Sequence, residues 1–511
     1  MNHLLIMPVI LPALVAPFII MVVRHHLDLT RIFSVASTVL LAAVALALAA
    51  QAADGTVMVY ELGDWPAPFG IVLVLDRLSA MMIVLTSLLA LPILLYAIGS
   101  GWDARGANFH ALYQFQLMGI MGAFLTGDAF NLFVFFEVLL IASYGLMIHS
   151  GGGRRFQAGV QYVVYNLLGS TLFLFALGTL YSVTGTLNMA DLAVKVAQMP
   201  AEDTALLRVG AVMLLLVFAI KAALLPLHFW LPSAYTNAPM PVAALFAIMT
   251  KVGAYSILRM YTLVFGPEVE ATAGLSEAWL LPAALLTLMA GAVGVVGSKK
   301  IGRVAAFGAI ASMGTLLIAI SLFTQTAAAA ALYYLVHSTL AAALLFLVAD
   351  LVMERQGHWI TPQLPMPQIG LISALFFAAA IALTGMPPLS GFLGKLLVLD
   401  ATRSADLATW IWAVILIGSL ITIIGMARAG SLLFWKGYGL PHEVEPEGET
   451  GAEAVAARPA QLPFVACFGL LAGLVGLTVF AGPATHYAEE TAAQLYAPAV
   501  YIEAVLGEEA Q

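Results

Sequence analysis

The sequence predicts an all-α membrane protein of about fourteen transmembrane helices, and three observations carry that reading. Apolar residues make up 62% of the 511 residues and charged residues only 9%, with a mean hydropathy of +1.00; a water-soluble domain carries roughly a quarter charged residues. Apolar stretches of about 20 residues, the length that crosses a bilayer, follow one another along the whole chain. The breaks between them collect glycine, proline and charge, as in Gly151-Gly152-Gly153-Arg154-Arg155 and Gly297-Ser298-Lys299-Lys300.

In order, the expected spans are 3–23, 32–52, 73–98, 108–126, 129–149, 160–183, 208–228, 240–265, 276–297, 303–324, 327–352, 368–399, 408–434 and 462–482. The stretch from Met1 to Val23 has no basic leader and no small-residue cleavage site before Arg24, so it is expected to remain as the first helix. Two segments are expected not to span. Glu443 to Ala457 is acidic and poor in large apolar residues, which suits a cytoplasmic loop. Pro483 to Glu508 mixes Tyr487, Leu495 and Tyr501 with glutamates, which fits a surface helix, a partner contact or a disordered tail.

Loop cations orient the chain. One set of alternate loops holds twelve: Arg24, Arg31, Arg105, Arg154, Arg155, Lys299, Lys300, Arg303, Arg355, Arg428, Lys436 and Arg458. The opposite loops hold three, Lys195, Arg208 and Arg403. The cation-rich loops are therefore expected in the cytoplasm and both termini outside. The net charge of −8 and the absence of a basic arm argue against a nucleic-acid partner. The single cysteine, Cys467, can build neither a disulfide within the chain nor an iron–sulfur or structural zinc site, so no cofactor is expected and any redox centre would lie on another chain.

Five ionisable groups stand inside apolar runs: Glu137 in the fifth span, Lys221 in the seventh, Lys251 in the eighth, His337 in the eleventh and Lys395 in the twelfth. A charge at the bilayer centre costs roughly 2.5 kcal/mol or more, which makes each a functional candidate. The competing reading is a side chain snorkelling to the interface or a structural ion pair, and for His337 a satisfied core histidine. Asp350 is read as an interfacial carboxylate, Asp76 and Arg77 as a structural pair, and Asp128 and His228 as groups near loop turns. Pro226 and Pro232 follow Lys221, Pro239 and Pro241 precede the helix of Lys251, and Gly385-Met386-Pro387-Pro388-Leu389-Ser390-Gly391 interrupts the twelfth span before Lys395. Proline frees a carbonyl that lipid cannot satisfy, so such breaks face protein or water. Paired breaks in two halves mark a transport site, which sets helices 4–8 and 9–13 as two inverted five-helix repeats with helices 7 and 12 broken. The resulting segments are 1–107, a three-helix start; 108–265 and 276–434, the repeats; 435–461, the acidic loop; and 462–511, the last helix and tail.

Desolvation favours a neutral amine over an ammonium, and a nearby carboxylate reverses that preference. At about 4 Å and an effective dielectric near 20 the attraction is roughly 4 kcal/mol, about a thousandfold in proton affinity. Opening or closing a Glu137–Lys221 pair would then act as a protonation switch.

The stretches TGDAFNLFVFFEVLLIASYGLM (126–147), IKAALLPLHFWLPSAYTNAPMPVAALFAIMTKVGAY (220–255), LVHSTLAAALLFLVAD (335–350) and LTGMPPLSGFLGK (383–395) resemble the antiporter-like subunits shared by Mrp-type multisubunit cation/proton antiporters and the membrane arm of respiratory complex I. YELGDWPAPFGIVLVLDRLSA (60–80) is most similar to the D-type branch of the Mrp subunits. The resemblance implies the fourteen-helix fold, a proton relay over Glu137, Lys221, Lys251, His337 and Lys395, and a bacterial plasma-membrane location. It also implies partner membrane subunits (the A-type, C-type and smaller Mrp chains), with protons and sodium or another monovalent cation as substrates. One departure is Ala341, where several complex I relatives carry a lysine one turn after the histidine. Three roles are thus open: a secondary antiporter subunit, a redox-driven proton pump subunit, or a passive scaffold.

Overall fold

The computed structural model describes residues 2–200, 204–439 and 461–507. Helices come first: α1 (Met7–Phe18, extended by a π-turn over Ile19–Val23) and α2 (Leu27–Ala52). Strands β1 (Met58–Glu61) and β2 (Val72–Leu75) follow, then α3 (Arg77–Gly99), α4 (Phe109–Leu125), α5 (Ala129–Met147) and α6 (Gly153–Thr184). A short α7 (Met189–Ala197) precedes α8 (Ala205–Lys221), α9 (Trp230–Asn237) and α10 (Met240–Leu263). The second half runs through α11 (Glu277–Gly297), α12 (Ile301–Ile320), α13 (Gln325–Gln356), α14 (Ile369–Thr384), α15 (Ser390–Ala401) and α16 (Ala408–Gly430). It closes with α17 (Leu462–Val479), α18 (Ala481–Leu495) and α19 (Pro498–Leu506). Among the described residues, ten helices are long and apolar enough to cross a membrane.

Helix starts follow local chemistry. Asp76 and Ser79 form a reciprocal capping box at α3, in which the Ser79 N–H donates to Asp76 Oδ1 over 2.8 Å and the Asp76 N–H donates to Ser79 Oγ over 2.9 Å. Asp128 caps α5 by accepting from the Asn131 N–H, and Asn188 caps α7. The apolar pattern then sets depth. Every residue of α10 is buried, and α12 and α13 are nearly so, which fits helices apolar all round that occupy the centre of a bundle. Helices α11 and α12 approach backbone to backbone at Gly291 and Gly314, where an added Cβ would stand 2.3 Å from the facing Ala311 and Leu288 nitrogens.

One expectation needs correction, and two further segments take a definite form. The fold is mostly helical but not strictly all-α, because Val72–Leu75, expected to open the third span, pairs antiparallel with Met58–Glu61. A short, fully apolar run cannot be assigned to helix or strand by periodicity. The amphipathic helix α7 lies between expected spans. Pro483 to Glu508 is not a loose tail over its described part: α18 and α19 fold back onto the chain. Arg77 pairs with Glu490, Tyr487 donates to the Arg77 carbonyl over 3.0 Å, and Gln494 joins the Arg77 N–H to the Gly55 carbonyl. The acidic stretch Glu443–Ala457 lies outside the described residues.

At the other end of the bundle, Asp103 joins α2 to α4. It accepts from Arg31 Nε over 2.6 Å and meets His110 Nε2 at 3.1 Å. Burial pushes the Asp103 carboxyl up, but the hydrogen bonds from His110 and Arg31 outweigh it and hold the group below the usual carboxylate range. A depressed carboxylate stabilises the fold above its unfolded value, about 3.9, and loses that contribution as pH falls through the folded value. Asp103→Asn is therefore expected to lower the melting temperature at pH 7, with the gap to wild type closing below about pH 4. A gap that persists unchanged into acid would refute the electrostatic account.

Candidate functional site

Helix α8 ends at Lys221, and the chain runs non-helically until Trp230 starts α9. Neighbours satisfy the freed backbone groups. The Leu225 N–H donates to Thr287 Oγ1 of α11 over 2.8 Å, and Trp230 Nε1 donates to the Ile220 carbonyl over 3.0 Å. Gly253 of α10 lies against this break so closely that a Cβ would sit 2.7 Å from both Ala222 N and Phe218 O. The second break falls between Thr384 and Ser390. Gly385 there holds φ at +79° in the left-handed region that glycine tolerates, and its Cα faces the Lys395 side chain.

Lys221 is buried, with Nζ 5.8 Å from the centre of the Phe136 ring and no hydrogen-bond partner among the described residues. It lines a cavity of about 20 Å³ together with Asn166 and Ser170, room for one water molecule. Glu137 is half-buried on α5 and accepts a hydrogen bond from Ser170 Oγ of α6. No ion pair among the described residues joins Glu137 to Lys221, so the expected direct pair is open here. Ser170 stands between them, bonded to the carboxylate and lining the lysine's cavity.

Lys251 is wholly enclosed in α10, 0% exposed, and its Nζ likewise has no hydrogen-bond partner among the described residues. On α13, His337 Nδ1 lies 2.9 Å from Ser390 Oγ, the first residue of α15, and the ring is within electrostatic reach of both Lys251 and Lys395. Lys395 is clasped: Nζ donates to the Thr384 carbonyl and to Ser419 Oγ, each over 2.7 Å. That carbonyl belongs to the last turn of α14, where unpaired carbonyls attract a cation. Lysines thus sit at both breaks, with Lys251 and His337 on the deeply buried helices α10 and α13.

Two groups are placed differently from expectation. Asp350 is enclosed by protein rather than exposed near a helix end: α13 continues to Gln356 and the side chain is 1% exposed. Its Oδ2 accepts from Trp102 Nε1 (2.8 Å) and the Tyr96 hydroxyl (3.0 Å), while Oδ1 has no partner among the described residues. It lines a cavity of about 470 Å³ that also reaches Arg105, Arg155, Lys300 and Glu354. Asp76 pairs with Arg259 of α10 (2.6 Å), not with Arg77. Sequence reasoning passed over the partner hydroxyls Ser170, Ser390 and Ser419, since serine in a helix carries no signal of its own. Among the described residues no group of three or more His, Cys, Asp or Glu could hold a metal ion.

Residues 126–422 match the family described as NADH:quinone oxidoreductase/Mrp antiporter, transmembrane. The chain belongs to that family. It is 39% identical to the D subunit of a probable K(+)/H(+) antiporter of Rhizobium meliloti, covering 99% of this chain and 98% of that protein. It is 38% identical to the D subunit of the Na(+)/H(+) antiporter of Alkalihalophilus pseudofirmus, over 99% and 100%. Among solved structures, a chain of the Mrp complex from Dietzia sp. superposes with a TM-score of 0.87 at 28% identity, over 99% of this chain and 100% of that one. A chain of respiratory complex I from Thermus thermophilus shares the fold alone, with a TM-score of 0.76 at 24% identity over 96% and 99%. Both are complexes.

The close fit at the first break is testable. Gly253→Val is expected to cost about 1–3 kcal/mol through overpacking, read as a lower melting temperature. Gly178→Val, where an added Cβ meets nothing within 4 Å, serves as the comparison and is expected to leave it unchanged.

Proposed function

We propose that this chain is the proton-translocating subunit of a multisubunit monovalent cation/proton antiporter in a bacterial plasma membrane. The observation that carries the reading is the pair of helix breaks, each with a buried lysine, together with the buried Lys251 and His337 on α10 and α13. Membership of a family whose full-length relatives are named as the D subunits of K(+)/H(+) or Na(+)/H(+) antiporters supports it. In this reading the chain crosses the membrane fourteen times with both ends outside. Residues 108–265 and 276–434 are the inverted repeats, each broken at its fourth helix, and the partners are A-type, C-type and smaller subunits.

Asp350 receives protons from the 470 Å³ cavity on the cation-rich face. Glu137 alternates between two partners. Held by Ser170, it leaves Lys221 in an apolar cavity that favours the neutral amine; swung onto Lys221, it stabilises the ammonium. Lys251 and His337 carry the proton onward, and Lys395 passes it on when its ammonium leaves the Thr384 carbonyl.

Glu137→Ala and Lys221→Ala are each expected to abolish cation-dependent proton movement in vesicles containing the assembled complex. Wild-type antiport in either assembled variant would overturn the assignment. Ser170→Ala, which removes a hydrogen bond to a charged group, is expected to slow transport about tenfold, and Ser170→Thr to restore it. A redox-driven pump is the second reading, supported by the complex I fold. It predicts no antiport in vesicles supplied with a cation gradient alone.

A further inference from the structure

Beside the first helix break lies a second, larger cavity of about 910 Å³, bounded by the α8–α9 segment and the start of α12. Its chemistry differs from that of the cavity at Asp350. Lys299, Lys300 and Arg303 line it, and no acidic residue does among the described residues. His228, which belongs to the break itself, is 8% exposed and presents an Nδ1 with no hydrogen-bond partner among the described residues. A lining of three cations and one orphaned ring nitrogen, without a carboxylate, is ill suited to a metal cation or an incoming proton. It is suited to an anion with several oxygens.

The rim says which kind. Phe229 and Trp359 line the same cavity and are both exposed, and Lys300 Nζ lies 5.0 Å from the Trp359 ring. Exposed aromatic rings beside a basic floor match an amphiphile whose chains run in hydrocarbon and whose head is charged. Basic pockets between transmembrane helices on the cytoplasmic side hold anionic lipid headgroups, and Lys299, Lys300 and Arg303 belong to the cation-rich face. We infer that this cavity is a binding site for the phosphate headgroup of an anionic phospholipid, seated against the α8–α9 break. The phosphate oxygens take Lys299, Lys300 and Arg303, His228 donates from Nδ1 when protonated, and an acyl chain lies along Phe229. A bound lipid braces the non-helical segment that follows Lys221.

The test titrates the assembled complex with short-chain phosphatidylglycerol, phosphatidylcholine and inorganic phosphate. Phosphatidylglycerol is expected to bind well ahead of phosphatidylcholine. The triple variant Lys299→Gln, Lys300→Gln, Arg303→Gln is expected to weaken it about 100-fold, from the attraction of three surface cations for an anionic lipid. Lys299→Gln alone should weaken it about fivefold, and Arg403→Gln, on the cation-poor face, should change nothing. Equal binding of the two lipids, or full affinity in an assembled triple variant, overturns the site. Inorganic phosphate binding as tightly as phosphatidylglycerol overturns the lipid as its occupant.

Discussion

Hydrocarbon offers no hydrogen bonds, and that single constraint arranges this molecule. Two interrupted helices and three lysines within them or on α10 can exist only where protein surrounds them. The answer is a centre of three helices, α10, α12 and α13, that spend almost none of their surface on the outside. Around it the breaks are sealed by borrowed partners: Thr287 for the Leu225 amide, the Trp230 ring N–H for the Ile220 carbonyl, and Lys395 for the open end of α14. Glycine is used where backbone must touch backbone, as at Gly253 and Gly291.

The two breaks resolve the same constraint differently. Lys395 has two hydrogen-bond acceptors in hand, one of them a helix-end carbonyl. Lys221 has a ring face and a small cavity, and the carboxylate that could hold it is bonded to Ser170 instead. Two lysines at comparable places in the chain therefore rest in unequal company, one hydrogen-bonded twice and the other without a partner among the described residues.

Much of this was legible in the sequence because charge inside an apolar run is conspicuous. Glu137, Lys221, Lys251, His337 and Lys395 each interrupt such a run, and prolines announce the breaks beside them. What the sequence hid was long-range pairing. Arg259 meets Asp76 across 183 residues, and Asp350 finds Tyr96 and Trp102 some 250 residues back, at separations no local pattern encodes. The hairpin of Val72–Leu75 was concealed by its own apolarity, which reads equally as helix. Serine partners were invisible for the opposite reason: a hydroxyl within a helix is ordinary until a carboxylate or lysine is found against it.

The capping box that starts α3 has a reach beyond its own helix. Asp76 is gripped by Arg259 of α10, and Arg77 beside it by Glu490 of α18. The start of the third helix is thus held by residues made much later, after the ribosome has passed the midpoint of the chain and again near residue 490. Each side chain also has a partner close in the chain, the Ser79 amide for Asp76 and the Ala53 carbonyl for Arg77. This end of the protein is therefore fastened twice along the chain, and one ending before α18 would keep the Asp76–Arg259 pair but lack the Arg77–Glu490 pair.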